Sequence, residues 1–346
     1  MGSRNILFVI THPAFLNLMK NPIKELINNH KEIYFNFIIR RKESLEMIFK
    51  KEWSEYSIET PILDYPSTIY GKFYSLWKDA IYIAKFIKRN DIKVVIGETP
   101  LSTVSAYLGG AKSLFHYDDP EHFLQWGAAV PLATKILISE QIPYRRKNVI
   151  TYKGVQQAGY LNPHYFEPDI KILEKLNLEK EKYVFIRQIP SKAHGLNYPH
   201  NVVQLREFFP VILKSGLKIV IRSENECPSE YKSDQSIVYL RGSVDIYSLM
   251  KYARFTISEG DTMARESAVL GTPAIYCGQR EMYINRELIE MGAFLKRDTK
   301  NEIYDEINHL LKEDIKPLLR EKVERAFRER WDNINSLIVK TIVEMV

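Results

Sequence analysis

The stretch Phe255-Thr-Ile-Ser-Glu-Gly-Asp-Thr-Met-Ala-Arg-Glu-Ser-Ala-Val-Leu-Gly-Thr-Pro-Ala-Ile275 begins with a short apolar run and ends with another. Between them lie a tight turn that contains Gly260, a segment of helical period, and a break at Gly271 and Pro273. A buried strand that leads through a turn and a helix to a second strand is the repeating unit of parallel α/β sheets. This stretch therefore predicts an α/β fold.

The same alternation continues in both directions along the chain. In the first half the predicted strands are Ile6–Ile10, Ile33–Ile39, Val94–Ile96, Ser113–Phe115, Lys135–Ile138 and Val149–Thr151. In the second half they are Tyr183–Arg187, Lys218–Arg222, Ile237–Leu240, Phe255–Ser258, Ala274–Tyr276 and Ala293–Leu295. Helices are predicted between the strands, among them Tyr70–Lys88, Asn201–Lys214, Tyr283–Met291 and a last helix, Ile315–Val346.

The length of the chain and a lapse in its periodicity predict two domains. The chain has 346 residues, which is more than one hydrophobic core usually serves. The alternation of strand and helix is interrupted between Gly154 and Leu178. We therefore predict domains at residues 1–160 and 161–346. The last helix is expected either to pack back on the first domain or to lie on the surface.

The composition excludes several classes of protein. A hydrophobic content of 45% with 27% charged residues is typical of a globular chain. The net charge of +6 is spread along the sequence without a dense basic stripe, so no nucleic acid is expected as a partner. The two cysteines, Cys227 and Cys277, form neither a disulfide framework nor a zinc motif, which is typical of a cytoplasmic protein. Neither a leader peptide nor an apolar run of ~18 residues is recognised, so we expect neither secretion nor membrane insertion.

The turn after Ser258 is a candidate phosphate site. Gly260 would let main-chain N–H groups approach an anion, and the start of the following helix adds partial positive charge. Glu266 lies four residues after Thr262 and therefore on the same helix face, from which its carboxylate could bind two ribose hydroxyls. The alternative is a glycine that the turn requires for its backbone alone.

Two other segments of the second half are candidates for the same ligand. Arg187, Lys192 and His194 end or follow the strand Tyr183–Arg187, where their charges would neutralise a diphosphate. The alternative there is a solvated loop. Residues 242–245, Gly-Ser-Val-Asp, precede a helix, and they either place a nucleoside base or cap that helix.

Acids and bases follow two strands of the first half. The segment Asp118-Asp-Pro-Glu-His122 should lie at the carboxyl edge of the sheet, where open α/β sheets bind ligands. Asp119, Glu121 and His122 are candidates for deprotonating a sugar hydroxyl or abstracting a sugar proton. A helix start capped by Asp119 is the alternative. His12, after the first strand, is a further candidate base, or else a turn residue bonded to the backbone.

Several of these motifs resemble those of a known superfamily. Residues 258–275 resemble the signature S-G-G-T-x-x-x-E-A-x-x-L-G-x-P of UDP-GlcNAc 2-epimerases and GT-B glycosyltransferases. The stretches Phe115–His122, Tyr152–Pro163 and Tyr183–His194 are similar to a largely archaeal family of unknown function within that superfamily. The resemblance implies a GT-B-like α/β fold, with two Rossmann-like domains facing a central cleft. It also implies that the second domain holds the nucleotide sugar, at Ser258, Gly260, Asp261, Thr262 and Glu266.

The turn departs from the superfamily signature at two positions. Relatives carry Ser-Gly-Gly where this chain has Glu259-Gly-Asp261. Two carboxylates beside a diphosphate would repel it unless they point away or meet a cation. We therefore expect the directions of these two side chains to decide whether a diphosphate can bind.

Three functions are consistent with these features. The first is a glycosyltransferase of glycan or polysaccharide biosynthesis, with His12, Glu121 or His122 activating the acceptor hydroxyl. The second is an NDP-sugar 2-epimerase, in which Asp119, Glu121 or His194 would move the proton at C2. The third is a sugar-nucleotide binding protein without catalysis, which the two additional acids suggest.

The expected partners follow from the first of these functions. A nucleotide sugar, with UDP as the expected nucleotide, would be the substrate, and a glycan or a lipid-linked glycan the acceptor. No metal or other cofactor is expected, although a cation on Asp118, Asp119 and His122 is an alternative. The helix at Tyr70–Arg89 mixes aromatic residues with lysines, so it either covers the sheet or lies on anionic lipid at the membrane periphery. Assembly into a homo-oligomer is a further alternative.

Overall fold

The computed structural model divides the chain into two compact units. Unit 1 consists of Met1–Tyr160 and Trp331–Val346, and unit 2 of Leu161–Arg330. The described residues are 4–39, 45–46, 49–50, 53, 58–59, 69–118, 127, 129–189, 204–223, 231, 234–242 and 244–346. Within these ranges, no helix combines the length and the apolar character that a bilayer crossing requires.

Unit 1 is built on a parallel sheet with seven strands in the described ranges. They are β1 (Arg4–Ile10), β2 (Ile33–Ile39), β3 (Ile58–Glu59), β4 (Ile92–Gly97), β5 (Lys112–His116), β6 (Lys135–Ser139) and β7 (Val149–Tyr152). The strand order is β3-β2-β1-β4-β5-β6-β7, and each neighbouring pair is parallel. Ile6, Leu7 and Phe8 at the centre are fully buried, because both faces of the sheet are covered.

Within the described ranges, three helices with defined bounds lie between the first strands of unit 1. They are α1 (Pro13–Asn29), α2 (Ile69–Arg89) and α3 (Pro100–Gly109). Helices α1 and α3 begin with a proline, whose missing N–H costs no hydrogen bond in the first turn. Ala80, Ile83 and Ile87 of α2 pack in one core cluster with residues of α3 and of β4. These helices therefore bury one face each and form the cover of the sheet.

Unit 2 contains a second parallel sheet, with six strands in the described part of the chain. They are β8 (Tyr183–Arg187), β9 (Lys218–Arg222), β10 (Ile237–Leu240), β11 (Thr256–Ser258), β12 (Ala274–Tyr276) and β13 (Phe294–Lys296). The strand order is β10-β9-β8-β11-β12-β13, and all neighbours are parallel. Val184, Ile186, Ile219 and Ile257 lie in the main core cluster of this unit.

Short helices connect the strands of unit 2. In the described residues between β7 and Arg330, the helices are α4 (Ala158–Leu161), α5 (Lys171–Lys175), α6 (Phe209–Lys214), α7 (Ile246–Tyr252), α8 (Asp261–Val269), α9 (Arg286–Glu290), α10 (Lys300–Lys312) and α11 (Lys316–Glu329). Two of the predicted helices begin with a 3₁₀ turn, at Leu205–Phe208 and at Tyr283–Asn285. Pro210 in the first turn of α6 lacks the N–H of a continuing helix, which explains one of these turns.

The two sheets share one topology. If the strands of each unit are numbered along the chain, both sheets contain the order 3-2-1-4-5-6 of Rossmann-type folds, and unit 1 adds a seventh strand beside the sixth. The chain direction reverses between the first and the fourth strand, and the carboxyl ends of these two strands flank a crevice that commonly binds ligands. In unit 1 the reversal lies between β1 and β4, and in unit 2 between β8 and β11.

The predicted α/β alternation is confirmed, with one helix corrected. All twelve predicted strands are present within two residues of their bounds, and β3 is additional. The single helix predicted at Ile315–Val346 is wrong, because α11 ends at Glu329 and α12 (Ile334–Met345) begins separately. Trp331 packs on Gly154, where an added Cβ would lie 2.7 Å from the indole ring. The chain turns at this contact, and α12 then packs on α1 in unit 1.

Candidate functional site

The turn between β11 and α8 lies at the crevice of unit 2. Ser258 Oγ accepts a hydrogen bond from Gly260 N at 3.1 Å and donates one to Gly260 O at 2.7 Å, which closes the turn. Gly260 is the N-cap of α8, and no side chain caps this helix. Gly260 has a φ of −100°, so its role is steric: a Cβ would lie 3.1 Å from Ile189 Cδ1. The helix start is therefore a site where an anion can be stabilised.

The two additional acids of the turn are both accommodated by the protein. Glu259 Oε2 accepts a hydrogen bond from Ile189 N at 2.6 Å. Burial raises the pKa of the Glu259 carboxyl, and the positive charge of Arg187 partly opposes this shift. Asp261 Oδ2 lies 3.1 Å from Arg265 Nη1 and 3.7 Å from Arg280 Nη1. The repulsion expected from these carboxylates is thereby balanced by neighbouring cations and by the main chain.

Arg265 anchors this arrangement from inside unit 2. It is only 2% exposed, and its Nη1 donates to Asp261 Oδ2, to Asn285 Oδ1 at 3.1 Å and to Met282 Sδ at 3.3 Å. Arg280, on the loop after β12, adds a second positive charge to the same carboxylate. The sequence analysis did not identify either arginine as part of the site, although Arg265 follows Asp261 at the i,i+4 spacing of helix neighbours.

Glu266 and Thr262 lie on α8, as the sequence predicts. Glu266 is 3% exposed, and Tyr247 OH donates a hydrogen bond to its Oε1 at 3.2 Å. Tyr247 belongs to α7, so the carboxylate is held between two helices. Thr262 is part-exposed near the start of α8. Both residues stay candidates for the ligand contacts predicted for them.

Arg187 is placed beside the turn by the pairing of β8 with β11. Residues Arg187 and Ser258 are register partners at the carboxyl ends of these strands. Arg187 Nη1 lies 3.5 Å from Arg222 O, and Arg222 Nη1 donates to Gly242 O at 2.8 Å. The segment around Gly242 is the capping turn of α7, because Asp245 Oδ1 accepts from Ser248 N at 3.1 Å.

The crevice of unit 1 contains a carboxyl group that the sequence analysis missed. Glu98 directly follows β4, and its Oε1 accepts hydrogen bonds from Thr11 Oγ1 at 3.0 Å and from Thr11 N at 3.3 Å. Glu98 keeps some accessible surface, but the surrounding protein desolvates it and raises the pKa of its carboxyl to about 8. The negative charge of Asp118 acts in the same direction. A single acid directly after a buried strand is the signal that could have identified it.

His12 caps α1 beside this carboxyl group. Its Nδ1 accepts a hydrogen bond from Ala14 N at 3.2 Å, and the residue is exposed. An accepting Nδ1 places the proton of the neutral ring on Nε2, so in this arrangement His12 is a donor at Nε2. The alternative predicted for His12, a turn residue bonded to the backbone, is therefore present as this helix cap, and action as a base requires the opposite tautomer.

Two buried side chains line the carboxyl ends of β5 and β7. Asp118 Oδ2 accepts a hydrogen bond from Gln156 Nε2, and Gln156 is 5% exposed. His116 is 2% exposed and stacks between Phe15 and Tyr152, and burial lowers its pKa to about 3. His116 is thus neutral at physiological pH and serves packing.

Five predicted site residues lie outside the described residues. They are Asp119, Glu121, His122, Lys192 and His194. Their roles stay predictions. Among the residues that the structure describes, no group of three or more His, Cys, Asp and Glu side chains could hold a metal ion.

Solved structures with low sequence identity share the fold of this chain. The UDP-GlcNAc 2-epimerase from Methanocaldococcus jannaschii, in complex with UDP-GlcNAc and UDP, matches with a TM-score of 0.69 and 13% identity, over 98% of this chain and 99% of that one. The structure of UGT89C1 from Arabidopsis thaliana matches with a TM-score of 0.67 and 14% identity, over 99% of this chain and 100% of that one. The chain therefore has an α/β, GT-B-like fold.

The sequence itself is similar to an archaeal protein and to a family model. The uncharacterized protein MJ0665 of M. jannaschii is 25% identical over 174 residues, which are 47% of this chain and 48% of that protein. The match thus spans about half the length of this relative. The model for a protein family of unknown function, DUF354, matches residues 23–346. Because this match covers nearly the whole sequence, the chain belongs to the DUF354 family.

Proposed function

We propose that this chain binds a nucleoside diphosphate sugar through unit 2 and is a glycosyltransferase. The observation that carries the proposal is the charge balance of the turn between β11 and α8. Its helix start lacks a side-chain cap, while its acids are held by Ile189 N and by Arg265 and Arg280. The N-terminal dipole of α8 thus stays available for an external anion.

In this proposal, the described residues of unit 2 would contact the diphosphate and the ribose of the nucleotide. The start of α8 and the guanidinium of Arg187 would bind the diphosphate. Glu266, with Tyr247 fixing its carboxylate, would accept hydrogen bonds from the ribose hydroxyls. During transfer these cationic groups would also stabilise the charge that develops on the departing nucleoside diphosphate.

Unit 1 would supply the acid–base chemistry. In a glycosyl transfer, a base removes the proton of the acceptor hydroxyl, whose oxygen then bonds to the anomeric carbon as the nucleoside diphosphate departs. His12, Glu121 and His122 are the predicted bases, and we add the carboxyl of Glu98. Because its pKa is about 8, Glu98 is mostly protonated at neutral pH and becomes a base only as the pH rises.

An NDP-sugar 2-epimerase is the second candidate, and the protonation of Glu98 favours it. A carboxyl that keeps its proton at neutral pH can donate it to a sugar carbon or to the departing group. The epimerase structure of M. jannaschii holds UDP-GlcNAc and UDP, which makes UDP-GlcNAc the first ligand to test. A protein that binds without catalysis is less favoured, because the acids that suggested it are balanced in the structure.

The pH dependence of the rate distinguishes the two reactions. If the Glu98 carboxylate is the base of a transferase, kcat/KM rises with pH up to about 8. If protonated Glu98 is the acid of an epimerase, kcat/KM falls above the same pH. Incubation with UDP-GlcNAc alone gives the second readout: UDP or an epimer formed without acceptor indicates the epimerase. Release of UDP only in the presence of an acceptor indicates the transferase.

Binding of the nucleotide is tested separately by calorimetry with UDP. We expect Glu266→Ala to weaken binding by about 1–3 kcal/mol, because charge-assisted bonds to ribose are lost. Tyr247→Phe is the matched control, since it removes the hydroxyl next to Glu266 but leaves the carboxylate, and its loss should stay below about 1 kcal/mol. Absence of UDP binding by the folded wild type would overturn the proposal.

A further inference from the structure

One face of α2 combines exposed aromatic and aliphatic side chains. Tyr74 is 73% exposed, Trp77 51%, Ile81 48% and Tyr82 45%. Single exposed apolar residues are ordinary on protein surfaces, but a contiguous group marks a surface that contacts another phase or molecule. The opposite face of α2 is already used, because Ala80 and the residues around it pack in the core of unit 1.

Lysines occur between these apolar residues, without an exposed acid. Lys78, Lys85 and Lys88 are exposed. The single acid in the sequence of α2 is Asp79, which is 5% exposed and accepts a hydrogen bond from Ser75 Oγ. With 3.6 residues per turn, the exposed aromatic, aliphatic and lysine residues fall within an arc of about 140°. We call this arc the α2 outer face, and it comprises Tyr74, Trp77, Lys78, Ile81, Tyr82, Lys85 and Lys88.

We propose that the α2 outer face docks on an anionic lipid surface. Tyrosine and tryptophan favour the boundary between lipid tails and headgroups, since each has an apolar ring and a polar atom. Lysine can lay its stem along the apolar layer while its ammonium group stays among the phosphates. A protein partner would fit less well, because lysine is depleted in protein interfaces. The inference does not depend on the reaction that the chain catalyses.

The positive charge continues beyond the carboxyl-terminal end of this face. A cavity of about 430 Å³ is lined there by three lysines, Lys88, Lys93 and Lys112, and by one acid, Asp91. Lys93 is held at its wall by an ion pair with Asp91, and Lys112 Nζ donates to Met345 O at 2.7 Å. This cavity extends the cationic surface past the last turn of α2 and gives phosphate headgroups a second place to contact the protein.

Sedimentation of the full-length protein with lipid vesicles tests the proposal. We expect binding to mixed phosphatidylcholine–phosphatidylglycerol vesicles and at least about tenfold weaker binding to phosphatidylcholine alone. The double variant Tyr74→Ala/Trp77→Ala should lose at least about tenfold in affinity for the mixed vesicles. Lys78→Glu/Lys85→Glu should lose as much or more, and this loss should shrink as salt is added.

Matched controls separate this face from general surface effects. Tyr34→Ala removes a 60% exposed tyrosine from β2, and Lys171→Glu/Lys175→Glu reverses two exposed lysines of α5. These controls should bind the mixed vesicles like the wild type. Quenching by brominated lipid gives a readout from Trp77 itself, because Trp77→Phe should keep the binding but lose part of the quenching.

Three results would each overturn the proposal. The first is equal binding of the wild type to both kinds of vesicle. The second is unchanged vesicle binding by the two double variants of α2, provided that circular dichroism shows them to be folded. The third is quenching of the tryptophan fluorescence that Trp77→Phe does not reduce. A dimer of the wild type that the Tyr74→Ala/Trp77→Ala variant loses, without vesicle binding by either, would assign the face to a second copy of the chain instead.

Discussion

Replacing Glu98 by glutamine should remove a pH dependence of stability from unit 1. Burial raises the pKa of this carboxyl to about 8 in the folded protein, whereas an unfolded glutamate titrates near about 4.3. Between these two pH values the folded chain keeps a proton that the unfolded chain has lost. Stability therefore falls as the pH rises through this window, and the fall ends above the folded pKa.

The expected size of the effect follows from the width of that window. One pKa unit corresponds to about 1.4 kcal/mol, so the change from about pH 5 to about pH 7.5 has an upper limit of about 3.4 kcal/mol. Glu98 keeps some accessible surface, and solvent screening lowers the expected change to about 1–3 kcal/mol. The Glu98→Gln amide cannot ionise, so the variant should gain this amount relative to the wild type over the same interval.

Urea unfolding followed by tryptophan fluorescence measures this difference in unit 1. All four tryptophans fall within the sequence ranges of this unit: Trp53, Trp77, Trp126 and Trp331. Glu140→Gln is the matched control, because Glu140 follows β6 as Glu98 follows β4 but is exposed. The control should show the pH slope of the wild type. Equal pH slopes for Glu98→Gln and the wild type would refute the assignment of a protonated carboxyl to Glu98.

Two further predictions concern the buried cations of unit 2. Arg265→Met should lower the free energy of unfolding by about 3–5 kcal/mol, because it removes the cation that lies 3.1 Å from the buried carboxylate of Asp261, closer than Arg280 at 3.7 Å. Urea unfolding by circular dichroism measures this, and a loss below about 1 kcal/mol would contradict it. The second prediction concerns Lys316, which is 1% exposed and whose pKa is lowered by burial to about 7. Between about pH 7 and about pH 10 the unfolded chain therefore binds more protons at this residue than the folded chain does, so the free energy of unfolding should rise with pH. Thermal melts of Lys316→Met over this pH range should lack this rise in stability. A rise that persists in the variant would show that another group causes it.

The apolar runs of the sequence were sufficient to predict both sheets. The bounds predicted for Tyr183–Arg187, Lys218–Arg222 and Ile237–Leu240 agree with the structure, because strands covered on both faces must be continuously apolar. The strand β3 was not predicted, since a run of two residues has no periodicity. The break in the last helix was also not predicted, although Asn333, which caps α12 by accepting a hydrogen bond from Ser336 N, is a local signal for it. The packing of Trp331 on Gly154 at this break is not local in the sequence.

The sequence predicted where the candidate site lies, but not how the charges within it are balanced. The turn after Ser258 is recognisable as a strand followed by glycine and a helix. The charge of Asp261 is balanced partly by Arg265, at a local i,i+4 spacing, and partly by Arg280, which reaches it through the loop after β12 and not through any local spacing. The raised pKa of Glu98 likewise depends on desolvation by the surrounding fold and on the charge of Asp118. Thr11, which the pairing of β1 with β4 brings to its side, opposes this shift through its hydrogen bonds. Long-range packing therefore decides the chemistry of both crevices.

The two proposals that involve unit 1 are connected by the direction of α2. A helix that leads into a parallel strand runs antiparallel to it, so the end of α2 at Tyr74 lies toward the carboxyl edge of the sheet. Glu98 and Thr11 lie at the same edge, whereas Lys88 lies toward the opposite one. A lipid surface on the α2 outer face would therefore extend along the unit from its acid–base crevice to its cationic cavity. Such docking is compatible with an acceptor whose sugar is attached to a lipid, because the acceptor would then be concentrated on the side of unit 1 that carries Trp77.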